Sequence, residues 1–252
     1  MLSNVVFVMD TPEMYKSCSM QHYMSEQQHR VDRQWVASVI AGEQENEEVR
    51  IRTDEFVVLP DLVRELPKHK QAYPWSQQRL GRTQQLNWLA IVTVPHLRTI
   101  RDLRGEHIEL LRSLRAQCME AVKKEFPVER PEIMIFANYP PSVYTLHFHI
   151  CCPFKFAVPF DAFRMHTLES LIHHIEMDPE YYAKYNIHIP VSHSSRLYHA
   201  MVDLPGVDSM RKCFEKWKRY SEEIQRMNET KNFGLPCYIP RSLRIGFSPI
   251  PK

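Results

Sequence analysis

The stretch "EIMIFANYPPSVYTLHFHI", residues 132 to 150, decides the fold of this chain. Apolar residues dominate its two ends, 132–138 and 144–150, which predicts two β-strands. The proline-bearing turn between them is too short for the crossover that parallel strands require. The two strands should therefore pair antiparallel, and the mixture of strands and helices elsewhere predicts an α+β fold.

Other apolar patterns predict the elements around this pair of strands. Short apolar runs that end at prolines or charged residues predict strands at 4–9, 55–62 and 87–95. Apolar residues at helical spacing predict helices at 32–42, 100–126, 161–176 and 208–227. We expect Asp32 to cap the first helix and Gly42 to end it. The polar residues 63–84, which contain prolines and a glycine, predict a loop or insertion.

Composition is that of an ordinary globular protein with one large domain or two small ones. Of its 252 residues 44% are hydrophobic and 25% are charged, and the net charge is +2. That charge is too small to predict binding of long nucleic acid to a broad basic surface. No glycine-rich phosphate loop occurs, so a phosphate site would have to use side chains.

The amino end and the cysteines predict a protein of a reducing compartment. The opening MLSNVVFVMD lacks a basic region and is broken by Asp10, so it is not typical of a secretion signal. No apolar run approaches the roughly 18 residues needed to cross a bilayer. The six cysteines show no CxxC spacing, which favours free thiols.

His147 and His149 stand two apart in the second strand, so their side chains share one face of the sheet. The apolar residues that alternate with them face the core. Three interpretations of the pair remain open from these residues alone. They are ordinary histidines of a half-buried sheet, or zinc ligands with Cys151 as a third, or a site where one imidazole attacks a phosphate and forms a phosphohistidine.

A set of segments in this order resembles the scavenger mRNA-decapping enzymes, a branch of the histidine triad superfamily. The segments are YKSCSMQHYMSEQ, QWVASVI, EFVVLPDL, RTIRDLRGEHIELLRSLRAQ, NYPPSVYTLHFHI and RMHTLESLIHHIEMDPEYY. The resemblance runs from about residue 5 to about residue 200. It implies a histidine-triad-like antiparallel sheet with flanking helices, in a chain that forms homodimers.

The resemblance also implies roles for individual residues. The nucleophile of the family is the middle histidine of an HxHxH run, which matches His147, and the last histidine matches His149. The family holds the 7-methylguanosine cap between a tryptophan and an aliphatic residue, which match Trp35 and Leu62. The other matches are Glu45 to the guanine edge, Pro60 and Asp61 to the ribose and cap, and Ser142 and Arg164 near the phosphates.

Four positions depart from the family pattern. The first histidine of the run is Thr145, a lysine after the PDL segment is Val63, an upstream histidine is Asn138, and a tyrosine before the run is Val143. These changes remove a cation and two imidazoles from a place where phosphoryl transfer needs charge stabilisation. Activity could therefore be retained, weakened or shifted in substrate.

The expected activity is that of a hydrolase acting on the triphosphate bridge of the cap. Its substrate would be a cap dinucleotide or a short capped RNA, and its product 7-methylguanosine monophosphate. We expect no metal or other cofactor, no membrane or long nucleic acid as partner, and a location in the cytoplasm, the nucleus or both. The alternative is a catalytically weakened paralogue that binds cap-like nucleotides.

Three regions are expected along the chain. Residues 1–54 would be a partial amino-terminal segment with the cap-pocket helix, residues 55–204 the catalytic domain, and residues 205–252 a carboxy-terminal extension.

Overall fold

A computed structural model describes most of the chain between residues 5 and 202. The described residues are 5–17, 31–61, 86–129, 132–152, 163–192 and 196–202, with nine more between 211 and 226. Two compact units are found, one of Ser3–Val207 and one of Met1–Leu2 with Asp208–Lys252. Within the described ranges, none of the helices combines the length and apolar character that a membrane-spanning segment needs. The predicted loop at 63–84 lies outside the described residues.

The first unit contains strands and helices in a mixed order. Its strands are β1 (Val5–Asp10), β2 (Ile51–Arg52), β3 (Phe56–Pro60), β4 (Asn87–Val92), β5 (Met134–Asn138), β6 (His147–Cys151), β7 (Met165–Thr167) and β8 (Ile187–Ser192). Its α-helices are α1 (Pro12–Met14), α2 (Val31–Ala41), α3 (Ile108–Glu125), α4 (Leu168–Met177), α5 (Tyr181–Lys184) and α6 (Arg196–Val202). Short 3₁₀ turns cover Asn46–Glu48, Ile100–Asp102 and Gly105–His107.

Six of the strands form one antiparallel sheet in the order β2-β3-β4-β6-β5-β7. The predicted α+β class and the antiparallel pairing of β5 with β6 are confirmed. The strand predicted from residue 144 begins later, at His147. Leu146 still donates its N–H to the carbonyl oxygen of Leu97, outside the sheet, at 3.0 Å.

The long helix α3 starts eight residues after the predicted position, at Ile108 rather than 100. The residues before it form separate 3₁₀ turns, because Thr99 and Asp102 close a capping box around the first one. Leu103, which follows, is extended (φ −67°, ψ 138°) and interrupts the helical path. The apolar stripe that helical spacing predicts here comprises Ile108, Leu111, Leu114, Cys118, Ala121 and Val122. Four of these residues are buried, whereas Ile108 and Ala121 are half-buried.

The helix predicted at 161–176 is also shorter at its start. Residues Met165–Thr167 are extended because they pair with β5, and α4 begins only at Leu168. The hydroxyl of Thr167 accepts the N–H of Ser170 and so caps the first turn of the helix.

Helix α2 ends where the sequence predicted, at Gly42. Gly42 has a positive φ of 75°, and the N–H groups of Gly42 and Glu43 donate to the carbonyl oxygens of Val39 and Ser38. This is the pattern of a Schellman motif, which closes a helix through a left-handed residue. The start was predicted wrongly: α2 begins at Val31, so Asp32 lies within the helix and does not precede it.

A second, two-stranded sheet joins β1 to β8 antiparallel. A buried ion pair links Asp10, at the end of β1, to Arg101, with 2.9 Å between Oδ2 and Nη2. The guanidinium of Arg101 also donates to the carbonyl oxygens of Tyr182 and Tyr185. The amino-terminal strand is thereby tied to the region of α5.

Candidate active site

His147 and His149 lie on one face of β6, as the alternation predicted. Their rings are 5.5 Å apart between centroids and meet edge to face. Both side chains are partly exposed, whereas Phe148 and Ile150 on the opposite face are fully buried. The sheet therefore presents two imidazoles on a face that a ligand can reach.

The tautomer of His147 follows from a contact with the main chain. Nδ1 of His147 lies 2.7 Å from the carbonyl oxygen of Thr145. A carbonyl oxygen only accepts hydrogen bonds, so Nδ1 carries the proton in this contact. In the neutral ring the lone pair is then at Nε2, the atom available for nucleophilic attack.

The charge state of His147 is set by its surroundings. Burial lowers its pKa from the ordinary value of 6.5, and the positive charge of Arg164 lowers it further. The hydrogen bond to the Thr145 carbonyl and the negative charge of Asp61 act in the opposite direction. His147 is thus neutral near pH 7, and two residues predicted for the site lie close enough to influence it.

His149 is also desolvated by its surroundings. Burial lowers its pKa to about 3, with smaller contributions from His147 and Arg164. Its ring stacks on Phe136 of the neighbouring strand at 5.1 Å between centroids, with 23° between the planes. The sequence reasoning did not single out Phe136. Its position opposite His149 follows only once the register of β5 and β6 is known.

Asp61 follows directly after β3, whose last residue is Pro60. Main-chain and side-chain bonds to Asn87 fix the segment: Asp61 N–H donates to the Asn87 carbonyl at 2.8 Å, and Asn87 Nδ2 donates to the Asp61 carbonyl at 3.0 Å. Pro60 lies opposite Trp88 in the sheet. Leu62, predicted to cover one side of the cap, lies outside the described residues, as does Val63.

Arg164 is held against the turn that joins β5 to β6. Its guanidinium donates to the carbonyl oxygen of Pro140, and its own carbonyl accepts the N–H of Tyr139 at 2.8 Å. Ser142 is exposed in the same turn, two residues after Pro140. The structure therefore brings the turn with Ser142 to Arg164, and Arg164 within electrostatic reach of both histidines.

Trp35 of α2 lies over the same face of the sheet as the histidines. Residues directly opposite each other in paired strands share a face. Two such rows cross β3, β4 and β6: one is Val57, Ile91 and His147, and the other is Leu59, Leu89 and His149. Trp35 packs against an apolar cluster that includes the β3 and β4 residues of both rows.

Glu45 is the immediate partner of Trp35. The indole Nε1 donates to Oε1 of Glu45 at 2.9 Å. Glu45 has a left-handed backbone with φ 56°, in the loop that follows the end of α2. The tryptophan and the carboxylate predicted to hold the base are thus neighbours, 10 residues apart in sequence.

The departures from the family pattern occupy different surroundings. Thr145 lines a cavity of about 300 Å³ beside the carboxyl-terminal half of α2. Asn138 is half-buried at the end of β5, and alternation puts it on the face of Phe136. Val143 is buried in the apolar cluster under α2.

Geometry gives no support to a zinc site at His147, His149 and Cys151. Among the residues described here, the one group of three whose ligand atoms lie within 4.8 Å of one another is His96, Glu106 and His107. In that group Nδ1 of His107 accepts the N–H of Arg104 at 2.9 Å, so its Nε2 carries the proton. His107 then donates to Nε2 of His96 at 3.2 Å, which makes the pair a hydrogen bond and not a pair of ligands.

Sequence comparison relates this chain to known proteins. A family model described as "Scavenger mRNA decapping enzyme C-term binding" matches residues 34–166. The m7GpppX diphosphatase of Schizosaccharomyces pombe is 31% identical over 147 residues, 57% of this chain and 43% of that protein. The proteins of the same name from Bos taurus and Homo sapiens are each 28% identical, over 181 and 180 residues.

These matches cover one part of larger proteins. The chain spans about half the length of the curated relatives it matches, 49% of the Bos taurus protein and 48% of the Homo sapiens protein. The matched region nevertheless extends from α2, which carries Trp35, past both histidines to the start of β7. Since it includes more than half of the 252 residues, this chain belongs to the scavenger mRNA decapping enzyme family.

Proposed function

We propose that this chain hydrolyses the triphosphate bridge of 7-methylguanosine cap remnants, with His147 as the nucleophile and 7-methylguanosine monophosphate as the product. One observation carries the proposal. A neutral imidazole with its lone pair at Nε2 lies on the same sheet face as Trp35 and within electrostatic reach of Asp61 and Arg164. The aromatic ring of Trp35, the nucleophile His147 and the positive charge of Arg164 would thus act on one ligand.

The base would be held at the end of the site nearer to α2. A methylated guanine is cationic, and the face of an indole attracts a cationic ring by stacking and by cation–π contact. Leu62 would cover the other side of the base. Glu45 already accepts a hydrogen bond from Trp35, and a carboxylate has further lone pairs for the donor edge of guanine.

Attack would start from Nε2 of His147. Its lone pair forms a bond to the phosphorus attached to the methylated nucleoside, and the bond from that phosphorus to the bridging oxygen breaks. The leaving diphosphate takes the electron pair and needs no proton at neutral pH. The ring gains positive charge in this step, which strengthens the hydrogen bond from Nδ1 to the Thr145 carbonyl.

Water completes the reaction in a second step. It attacks the phosphohistidine, the N–P bond breaks, and the electron pair returns to Nε2 while the proton of the water passes to solvent. Arg164 supplies positive charge next to the phosphates, and neutral His149 has one N–H to donate to a phosphate oxygen. Ser142, Pro60 and Asp61 would contact the phosphates, the ribose and the cap.

The test compares the purified chain with its His147→Asn variant on a 7-methylguanosine cap dinucleotide, with products separated by chromatography. We expect 7-methylguanosine monophosphate from the wild type and a loss of turnover of about 1,000-fold or more in the variant. The matched control is His188→Asn, which changes an exposed imidazole in the separate two-stranded sheet and should leave turnover unchanged.

Two outcomes would contradict the proposal in different ways. Equal turnover in wild type and His147→Asn would exclude His147 as the nucleophile. Binding of the cap dinucleotide by both proteins, with quenching of tryptophan fluorescence but no product from either, would establish the alternative of a relative that only binds cap-like nucleotides.

A homodimer is proposed on the same family grounds, and the edge of the sheet supports it. β7 pairs with β5 only over residues 136–138, so among the described strands Met134 and Ile135 have no ladder partner on that side. A cleft of about 380 Å³ opens beside them, lined also by Arg115 and Met119 of α3. An open strand edge with an apolar border is suited to pairing with a second sheet.

Sedimentation measures this association directly. We expect twice the chain mass of 30.0 kDa for the wild type and a monomer for Met134→Lys. Met177→Lys, which changes an exposed apolar residue at the carboxyl end of α4, serves as the control and should remain dimeric. A wild-type chain that sediments as a monomer at all concentrations would contradict the dimer.

Capped RNA remnants as substrates would place the protein in the cytoplasm, the nucleus or both.

A further inference from the structure

The charge of the chain is distributed unevenly. Residues 208–252 contain ten lysines and arginines against five aspartates and glutamates, whereas the whole chain has 32 against 30. The remainder of the chain therefore has more acidic than basic residues. The expectation that this chain has no affinity for long nucleic acid depended on the whole-chain charge of +2, which averages two unlike parts.

The described residues of this carboxy-terminal region are helical and exposed. Between residues 211 and 219 they include five basic residues and one acidic residue, and the acidic residues increase only after that. At 3.6 residues per turn, all nine described positions fall within an arc of about 160° of the helix circumference. They are Arg211, Lys212, Glu215, Lys216, Lys218, Arg219, Glu222, Glu223 and Arg226.

A shallow cleft marks the same stretch. It has a volume of about 480 Å³ and is lined by Arg211, Lys212, Glu215 and Arg219. Two guanidinium groups and one ammonium group line this cleft, beside the carboxylate of Glu215. Arginine and lysine both bind phosphate oxygens, so the cleft has a net positive charge that suits phosphate groups.

We propose that this basic helix face binds the phosphate backbone of single-stranded RNA. The choice of RNA rests on the proposed function, because a capped substrate continues from the cap into an RNA strand of repeating negative charge. Binding would be independent of base sequence and strongly dependent on salt. It would raise the local concentration of capped RNA over that of the free dinucleotide, since both parts belong to one chain.

The experiment measures binding of the full chain to a fluorescent, uncapped oligoribonucleotide of about 20 nucleotides by anisotropy over a range of salt concentrations. The variant is Arg211→Gln/Lys212→Gln/Arg219→Gln. The matched control, Lys123→Gln/Lys124→Gln/Lys184→Gln, removes the same charge from exposed lysines elsewhere. Circular dichroism checks that both variants keep the helical content of the wild type.

We expect the variant to bind the RNA at least 10-fold more weakly than the control at moderate salt. Its slope of log affinity against log salt should fall by about 2, since each lost phosphate contact to a single strand contributes about 0.7. Equal losses in variant and control would overturn the proposal, because net charge alone would then explain the binding. Binding of the wild type to vesicles with anionic lipid but not to RNA would also overturn it.

Hydrolysis of the cap dinucleotide is measured in the same proteins, to separate this proposal from the proposed function. The variant should hydrolyse the dinucleotide as the wild type does. A chain without hydrolysis whose RNA affinity still depends on the three residues would refute the decapping activity and keep the RNA-binding helix. Normal hydrolysis of the dinucleotide without RNA binding would refute the RNA-binding helix and keep the decapping activity.

Discussion

His147 is influenced by two side chains of opposite charge, Asp61 and Arg164. A nucleophilic imidazole must be neutral, so activity should fall on acidification through the pKa of His147 and persist above it. Because burial lowers that pKa below 6.5, the neutral form should persist into weakly acidic solution. Removing the charge of Asp61 or of Arg164 should therefore shift the pH below which activity is lost, and the sign of the charge determines the direction of the shift.

The prediction for these neighbours is a pair of opposite shifts in the pKa of His147. Asp61→Asn removes a negative charge that raises this pKa, so the titration should move to lower pH. Arg164→Gln removes a positive charge that lowers it, so the titration should move to higher pH. NMR titration of the imidazole protons measures both without substrate. Lys184→Gln, a distant surface change, is the control, and shifts of the same sign in both variants would contradict the arrangement.

Residue patterns could predict part of this site and not the rest. Alternation alone places His147 and His149 on one face, because side chains of a strand alternate without reference to any other element. Phe136 beside His149 depends on the register between two strands, and the hydrogen bond from Trp35 to Glu45 depends on a left-handed residue in a loop. Neither register nor loop conformation can be read from periodicity.

At the scale of elements, the end of α2 decides where Trp35 and Glu45 meet. Gly42 is left-handed, and a Cβ added there would find its nearest atom at 3.5 Å, so space is not the constraint. The requirement is the backbone conformation itself, which glycine and asparagine tolerate better than alanine.

Gly42→Ala is therefore predicted to lower the free energy of unfolding by about 1 kcal/mol. Gly42→Asn should cost clearly less, because asparagine adopts the left-handed region more readily. Urea denaturation of the two variants and the wild type checks the order. An alanine variant as stable as the wild type would contradict the Schellman ending.

Element boundaries show where periodicity stops being informative. Gly42 ended its helix as predicted, since the signal there is a backbone property of one residue. The start of α3 could not be predicted, because Ile100 and Leu103 continue a helical spacing while the capping box of Thr99 and Asp102 closes a separate turn. In the same way Met165–Thr167 carries no sign of its pairing with β5.

For the molecule as a whole, Arg101 links parts that are far apart in the chain. It bonds Asp10, 91 residues earlier, and the carbonyl oxygens of Tyr182 and Tyr185 more than 80 residues later. The phenol of Tyr139 donates to the same carboxylate. Burial raises the pKa of Asp10, whereas the Tyr139 hydrogen bond and the charge of Arg101 oppose that rise.

Arg101→Met should lower the free energy of unfolding by about 3–5 kcal/mol, because it leaves a buried carboxylate without its cation. Arg112→Met is the matched control: its ion pairs with Glu109 and Glu176 lie at the surface, and their loss should cost about 1 kcal/mol or less. Chemical denaturation compares the two variants. Should Arg101→Met fail to fold, Asp10→Asn offers a milder change. Equal costs for Arg101→Met and Arg112→Met would contradict the importance of the buried pair.

The hydrogen bond from His147 to the carbonyl of Thr145 makes the tautomer of this imidazole a property of the backbone. The acceptor belongs to the main chain, so it is retained whichever side chain residue 145 carries, as long as the backbone keeps its path. A threonine in place of the first histidine of the run therefore removes one imidazole from the strand and still leaves Nδ1 of His147 its acceptor.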